Sequence, residues 1–209
     1  MDYAKLKVTV PEGLSGSFEI KKFTVTKEQE RYNSMMAAIH GSRRSVDAGT
    51  YTGLYVVSDR DQPGERRHLL MSDTPDEMRD HWDPIHNACG HVLINGLGIG
   101  MVLQAVACKP SVTKVTVVEI SQDVISLVWP HYQKMFGDKI GVVLGDAYKY
   151  QPPRGESYGY VWHDIWDAVC SDNLEQMAVL HRKYGRRTIK QGSWCKGECQ
   201  AQKRRSFAY

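Results

Sequence analysis

Three carboxylates, Glu119, Asp146 and Asp164, each close a short apolar run, and a glycine cluster precedes all of them. The runs are Val115-Thr116-Val117-Val118 before Glu119, Ile140-Gly141-Val142-Val143-Leu144 before Gly145-Asp146-Ala147, and Tyr158-Gly159-Tyr160-Val161-Trp162-His163 before Asp164. Runs of this length and β-branched content read as buried strands, so all three acids fall at strand ends. In an open α/β sheet the carboxyl edge is where ligands bind, and an acid there can accept hydrogen bonds from ligand hydroxyl or amino groups. A fourth acid, Asp167, follows Asp164 by three residues.

The elements that must position these groups begin at residue 91. His91-Val92-Leu93-Ile94-Asn95 reads as a buried strand and Gly96-Leu97-Gly98-Ile99-Gly100 as a turn. Met101, Val102, Leu103, Ala105 and Val106 form a helix, and residues 114–119 return as a second parallel strand. Glycines suit such a turn because the backbone bends sharply and a ligand can approach with no Cβ in the way. The dinucleotide fingerprint G-x-G-x-x-G asks for a small residue where Met101 stands, which weakens an NAD reading. Glycines at 96, 98 and 100 follow a different spacing.

That spacing, the Val115-to-Ile120 segment, Gly145-Asp146-Ala147 and His163-Asp164-Ile165-Trp166-Asp167 occur in an order that resembles the S-adenosylmethionine (SAM)-binding core of class I methyltransferases, and within that superfamily the spermidine synthase branch. The resemblance covers roughly half of the chain. It implies an α/β fold, a Rossmann-like and mostly parallel sheet flanked by helices, with S-adenosyl-L-methionine as cofactor and methyl transfer as the activity. It implies that Gly96, Gly98 and Gly100 line the amino-acid end of the cofactor and that Glu119 holds the ribose with Ile120 beside it. Asp146 would accept from the adenine amino group next to Ala147. Asp164 would touch the cofactor and, with Asp167, form the two-acid pair that receives the attacking group. Two positions depart from the branch. Ile99 stands where an aspartate would grip the aminopropyl ammonium of decarboxylated SAM, a charge-assisted bond that an apolar side chain cannot make. Ala168 stands where a proline would follow the second acid. Ordinary SAM is therefore expected, with aminopropyl transfer, or cofactor binding without turnover, as the alternatives.

Upstream, residues 1–73 read as a β-rich accessory region. Residues 5–10 alternate polar and apolar, Pro11-Glu12-Gly13 turns, and residues 17–25 alternate again, which predicts an antiparallel ribbon. Thr26 with Gln29 forms a capping box before a helix whose apolar stripe is Tyr32, Met35, Met36 and Ile39 and which stops near Gly41. Residues 51–57 and 66–71 predict a second hairpin around Asp61-Gln62-Pro63-Gly64. Thr74-Pro75-Asp76-Glu77 is a strong helix start, and Asp83-Pro84 restarts or kinks that helix. Tyr51, Tyr55, Asp73, Asp76 and Glu77 could face the ligand cleft, although hairpin packing for the tyrosines and a favoured helix N-terminus for the acids account for them better.

The cofactor-binding domain is expected over residues 74–195. After Asp167 there is room for a helix over 173–184, with Leu174, Met177, Ala178 and Leu180 inward, and one last strand near 187–191, so the sheet is expected to be truncated at five strands. Residues 196–209 read as a basic tail. From Arg182 to Tyr209 there are nine Lys or Arg and one acid, a balance of +8, while the remainder has 18 basic and 23 acidic residues, or −5. Such an end, carrying Trp194, Phe207 and Tyr209, suits a solvated surface and is compatible with tracking a nucleic-acid backbone. The acceptor, a small molecule or a polymer group, has no signature. Homo-oligomers are compatible with the chain. No apolar run approaches a bilayer span and the start of the chain lacks a hydrophobic signal segment, which suggests a cytoplasmic protein without membrane partners. Five scattered cysteines, at 89, 108, 170, 195 and 199, suit reduced thiols. Cys195 and Cys199 lack the second pair that a four-ligand zinc site would want, so no metal is expected.

Overall fold

The computed structural model describes residues 6–39, 45–58 and 66–206. Strands β5 (Gly90–Asn95), β6 (Val112–Glu119), β7 (Ile140–Leu144), β8 (Tyr158–His163) and β9 (Thr188–Ser193) form one sheet in the order β7-β6-β5-β8-β9. Every pairing in it is parallel. Helices α4 (Met101–Ala107), α5 (Gln122–Phe136) and α6 (Asn173–Tyr184) make crossovers. This is the α/β architecture expected, with a five-stranded parallel sheet flanked by helices.

The apolar runs are unbroken because both faces of the sheet are covered. In β5, Val92 and Ile94 belong to the core under α4 and α5, whereas Leu93 belongs to a second core with Leu180 and Tyr184 of α6. β6 divides in the same way, Val115 and Val117 to one side and Val118 to the other. Each such side chain contributes about 1.5–3 kcal/mol by leaving water. The chain runs outward from β5 to β7 and then returns to lay β8 on the other side of β5, so the loops after β5 and β8 diverge. That divergence opens a crevice at the carboxyl edge.

A second, antiparallel sheet has the order β1 (Gly13–Ser15), β2 (Phe18–Val25), β3 (Gly49–Ser58) and β4 (Arg66–Ser72). It sits over the same edge, with Ser15 Oγ donating to Asp123 of α5 at 2.7 Å and the Met71 Sδ of β4 lying against Gly98. The ribbon therefore turns at Gly16 rather than at Pro11 to Gly13. Residues 7–10 are not a strand, although the alternation is real: Leu6, Val8 and Val10 are buried. Their backbone is held by side chains instead, Val8 N–H by Asp73 at 3.1 Å and Lys7 C=O by Gln104 at 3.0 Å. Lys5 and the turn at residues 61–64 lie outside the described residues, as does the helix stop at Gly41.

Helix α1 (Lys27–Ile39) starts at the capping box, with Gln29 N–H donating to Thr26 Oγ1 at 3.2 Å and Thr26 N–H to Gln29 Oε1 at 2.8 Å. Its apolar stripe does not enter a core: Tyr32, Met35 and Ile39 are more than half exposed. α2 (Pro75–Asp80) and α3 (Trp82–Asn87) are the helix broken before Pro84. Thr74 caps α2 by position but not by its side chain. In α6 the buried stripe is Asn173, Met177, Leu180 and Tyr184, so Ala178 faces solvent rather than the core. The basic end is not a free tail, since residues 196–206 form α7 (Lys196–Ser206) with Cys199 buried against its neighbours. Phe207 and Tyr209 lie outside the described residues. No helix among the described residues is long and apolar enough to cross a membrane.

Candidate functional site

A cavity of about 680 Å³ lies at the carboxyl edge of the parallel sheet. Gly96 and Gly98 line it after β5, Glu119 and Ile120 after β6, Asp146 and Ala147 after β7, and Asp164 and Asp167 after β8. The antiparallel sheet roofs it with Phe18, Leu54, Leu70 and Met71, and α2 adds Glu77, Asp80 and the following His81.

The glycine turn is shaped by positive φ. Gly96 has φ +99°, and a Cβ there would overlap the Asp164 carbonyl, so the turn and the end of β8 pack backbone to backbone. Asp164 N–H donates to Asn95 C=O at 2.8 Å across the same seam. Gly98 has φ +51° against Met71. Gly100 has φ +75° and faces the Tyr132 ring, so it is a packing glycine and not part of the cavity wall. Ile99 also turns away, fully buried in the core, with its C=O accepting from Tyr132 Oη at 3.0 Å. Its side chain therefore neither receives nor repels a ligand ammonium, and the contrast drawn from Ile99 between SAM and its decarboxylated form does not hold.

Glu119 is 7% exposed and clamps the turn it faces, one oxygen accepting from Leu97 N–H at 2.7 Å and the other from Ser121 N–H at 2.8 Å. Each oxygen keeps a second lone pair for a ligand hydroxyl. Asp146 Oδ1 accepts from Tyr148 N–H at 2.8 Å, which fixes its carboxylate at the rim. Ile120 is 72% exposed and offers an apolar ledge between these two acids.

Asp164 has a partner that sequence reasoning missed. Nε2 of His81 lies 2.7 Å from its Oδ2, and Nδ1 of the same ring lies 2.6 Å from the Glu77 carbonyl. A carbonyl only accepts, so Nδ1 carries a proton, and the opposite nitrogen faces a carboxylate across a shared proton. Burial would lower the imidazole pKa, but the Asp164 charge and hydrogen bond, joined by the Glu77 carbonyl, outweigh it and raise it above the ordinary histidine value. Asp164 is thus an oriented acid. Asp167, exposed farther along the same wall, is bound by no such clamp. Of the five upstream residues that could have faced the cleft, Glu77 alone lines the cavity; Asp73 is buried between Val8 and Thr52, accepting from both backbones. Trp166, Trp194 and Tyr148 complete the wall, with Trp166 Nε1 donating to Gln176 at 2.8 Å. Nothing local in the sequence marks His81 or Trp194, because each meets the cavity only through the packing of α2 and β9 on the sheet.

Behind the wall, His163 is fully buried between Asn95 Nδ2 at 2.8 Å and Gln191 Oε1 at 3.3 Å, which a single neutral tautomer satisfies. Burial pushes His163 down to about 3 and the adjacent His181 down to about 4. Both are neutral in the fold and bind protons once unfolded. The stability that these two histidines contribute is therefore constant above pH 6.5 and falls as pH drops from there toward 4, whereas His81, raised in the fold, contributes stability that is present below pH 6.5 and lost as pH rises through its folded value. The slope is about 1.4 kcal/mol per pH unit for His163 and smaller for the partly exposed His181. Urea unfolding at pH 7.5, 6 and 5 checks this, and His163→Gln, which removes the proton site, is expected to flatten the profile.

No family model matches the chain, and no curated protein sequence matches it. Solved structures are similar to it in part. An S-adenosylmethionine-dependent methyltransferase from Clostridium acetobutylicum is 11% identical, with a TM-score of 0.39, over 54% of this chain and 44% of that one. Phosphoethanolamine N-methyltransferase 1 from Haemonchus contortus, in complex with phosphoethanolamine and S-adenosylhomocysteine, is 16% identical, with a TM-score of 0.40, over 56% and 23%. TrmK from M. capricolum, in complex with S-adenosyl-homocysteine, is 9% identical, with a TM-score of 0.43, over 53% and 47%. The chain spans less than half the length of each of these three.

Proposed function

We propose that the chain is a SAM-dependent methyltransferase whose acceptor approaches the Asp164–Asp167 wall. The observation that carries this reading is the convergence of Glu119, Asp146 and Asp164 with Gly96 and Gly98 on one cavity at the carboxyl edge of the parallel sheet. SAM would supply an electrophilic methyl group on a sulfonium. Glu119 would hold ribose hydroxyls with its remaining lone pairs, Ile120 would support the adenine face, and Asp146 would accept from the adenine amino group beside Ala147. The glycine turn leaves space for the amino-acid end. Asp164, oriented by His81, positions the acceptor, and Asp167 takes its proton, so most of the rate would come from holding two reactants in line. The acceptor is a small molecule or an exposed polymer group; Lys203, Arg204 and Arg205 in the last turn of α7 would favour an anionic one, nucleic acid included.

Calorimetry tests the reading. SAM or S-adenosylhomocysteine is expected to bind and NAD is not, and Glu119→Ala should weaken SAM binding by about 1.5–3 kcal/mol, the usual range for hydrogen bonds to a charged group. A preference for NAD, or the absence of any adenosyl ligand, would remove the proposal. Unchanged affinity in folded Glu119→Ala would confine that residue to clamping the turn.

A further inference from the structure

At one end of the cavity a second set of side chains converges that the methyltransferase reading does not use. Asp80 closes α2, Cys195 lies in the turn between β9 and α7, and Glu198 lies in the first turn of α7. One carboxylate oxygen from each acid and the Cys195 sulfur lie within 4.8 Å of one another. Cys195 is 3% exposed, Asp80 is half-buried and also lines the cavity, and Glu198 is exposed. Cys195 and Glu198 are three residues apart at the start of α7, and tertiary packing brings Asp80 of α2 to them.

We propose that Asp80, Cys195 and Glu198 bind a divalent transition-metal ion of the zinc class. A zinc ion with bonds of about 2.0–2.3 Å to oxygen and sulfur sets its tetrahedral ligands about 3.3–3.8 Å apart, which small inward rotations of these side chains reach. The thiolate selects a borderline metal over magnesium or calcium, which prefer all-oxygen shells. Three protein ligands leave one position for water or a ligand from the cavity. The partner of Cys195 is thus Asp80 across the fold and not Cys199 one turn on.

The ion explains how α7 keeps its place. Of the eleven residues of α7, Cys199 alone is buried, and a short polar helix has little stability without tertiary anchors. A metal bridging Asp80 to Cys195 and Glu198 pins the start of α7 to the end of α2, beside Trp194 at the cavity rim.

The test uses the full chain and Zn²⁺ in competition with a chromogenic chelator. One equivalent of Zn²⁺ is expected, weakened at least 100-fold by Cys195→Ser and at least tenfold by Glu198→Gln, with Cys89→Ser, an exposed cysteine, as the unaffected control. Co²⁺ should give a thiolate charge-transfer band that Cys195→Ser abolishes, and Zn²⁺ should slow amide exchange across α7. Glu198 is exposed, so its variant keeps the fold and reads the site even if Cys195→Ser does not. No stoichiometric uptake by the wild-type chain would overturn the proposal. Uptake that both variants leave unchanged would overturn it as well. Neither result depends on whether SAM binds.

Discussion

Asp167→Asn is expected to leave SAM affinity nearly intact while lowering turnover roughly 100-fold or more, the usual scale of a lost general base. The expectation rests on how the wall divides its two acids. Asp164 follows β8 directly, with its Oδ2 held 2.7 Å from His81 Nε2, and it belongs to the seam that shapes the glycine turn. Asp167 is exposed three residues on and can meet an acceptor without bearing on the cofactor. Asp164→Asn should therefore disturb binding and rate together, whereas Asp167→Asn should separate them. Calorimetry with SAM, alongside S-adenosylhomocysteine release on an acceptor found by screening, measures both. Unchanged turnover in Asp167→Asn would leave positioning by Asp164 and His81 as the whole mechanism.

Gly96→Ala should be the most damaging small substitution in the cavity wall. At φ +99° an L side chain is strained, and the new Cβ would meet the Asp164 carbonyl, which is backbone and cannot rotate aside. Strain and overpacking together are expected to cost about 2–4 kcal/mol of stability. SAM binding should fall in the same variant, because relief requires the β5 turn and the Asp164 loop to separate. Gly141→Ala in β7 is the control: its Cβ would meet nothing within 4 Å, and it should change stability by less than about 0.5 kcal/mol. Urea unfolding compares the two. Wild-type stability in Gly96→Ala would show that the seam is looser than its backbone contacts indicate.

The parallel sheet was legible because its signal is local and strong. A strand buried on both faces, as β8 is, must be apolar throughout, and residues 140–144 and 158–163 match β7 and β8 at both ends. The acids were legible for a related reason, since a chain leaving a buried strand emerges at the sheet edge, and parallel strands emerge at the same edge. The capping box at Thr26 and the break before Pro84 are likewise set by neighbours in sequence.

Alternation and helical spacing proved weaker guides, because they report which side chains prefer burial and not what covers them. Residues 6–10 alternate in burial, yet Asp73 and Gln104 hold their backbone in place of a neighbouring strand. The stripe of α1 has the spacing of a core face and remains in solvent. Within the glycine turn, residue types alone could not assign directions. Positive φ at Gly96, Gly98 and Gly100 sends Ile99 into the core and Gly100 against Tyr132, so only two of the three glycines border the cavity.

Residue types and spacing in the sequence thus determined the class of fold and the three acids at the carboxyl edge of its parallel sheet, all consequences of short-range burial and chain direction. Tertiary structure alone decided which groups act on those acids. His81 reaches Asp164 across 83 residues, and Asp80 meets Cys195 and Glu198 across more than a hundred. Such pairings follow from how α2, β9 and α7 pack on the sheet edge, and packing of distant elements leaves no periodicity in the chain to read.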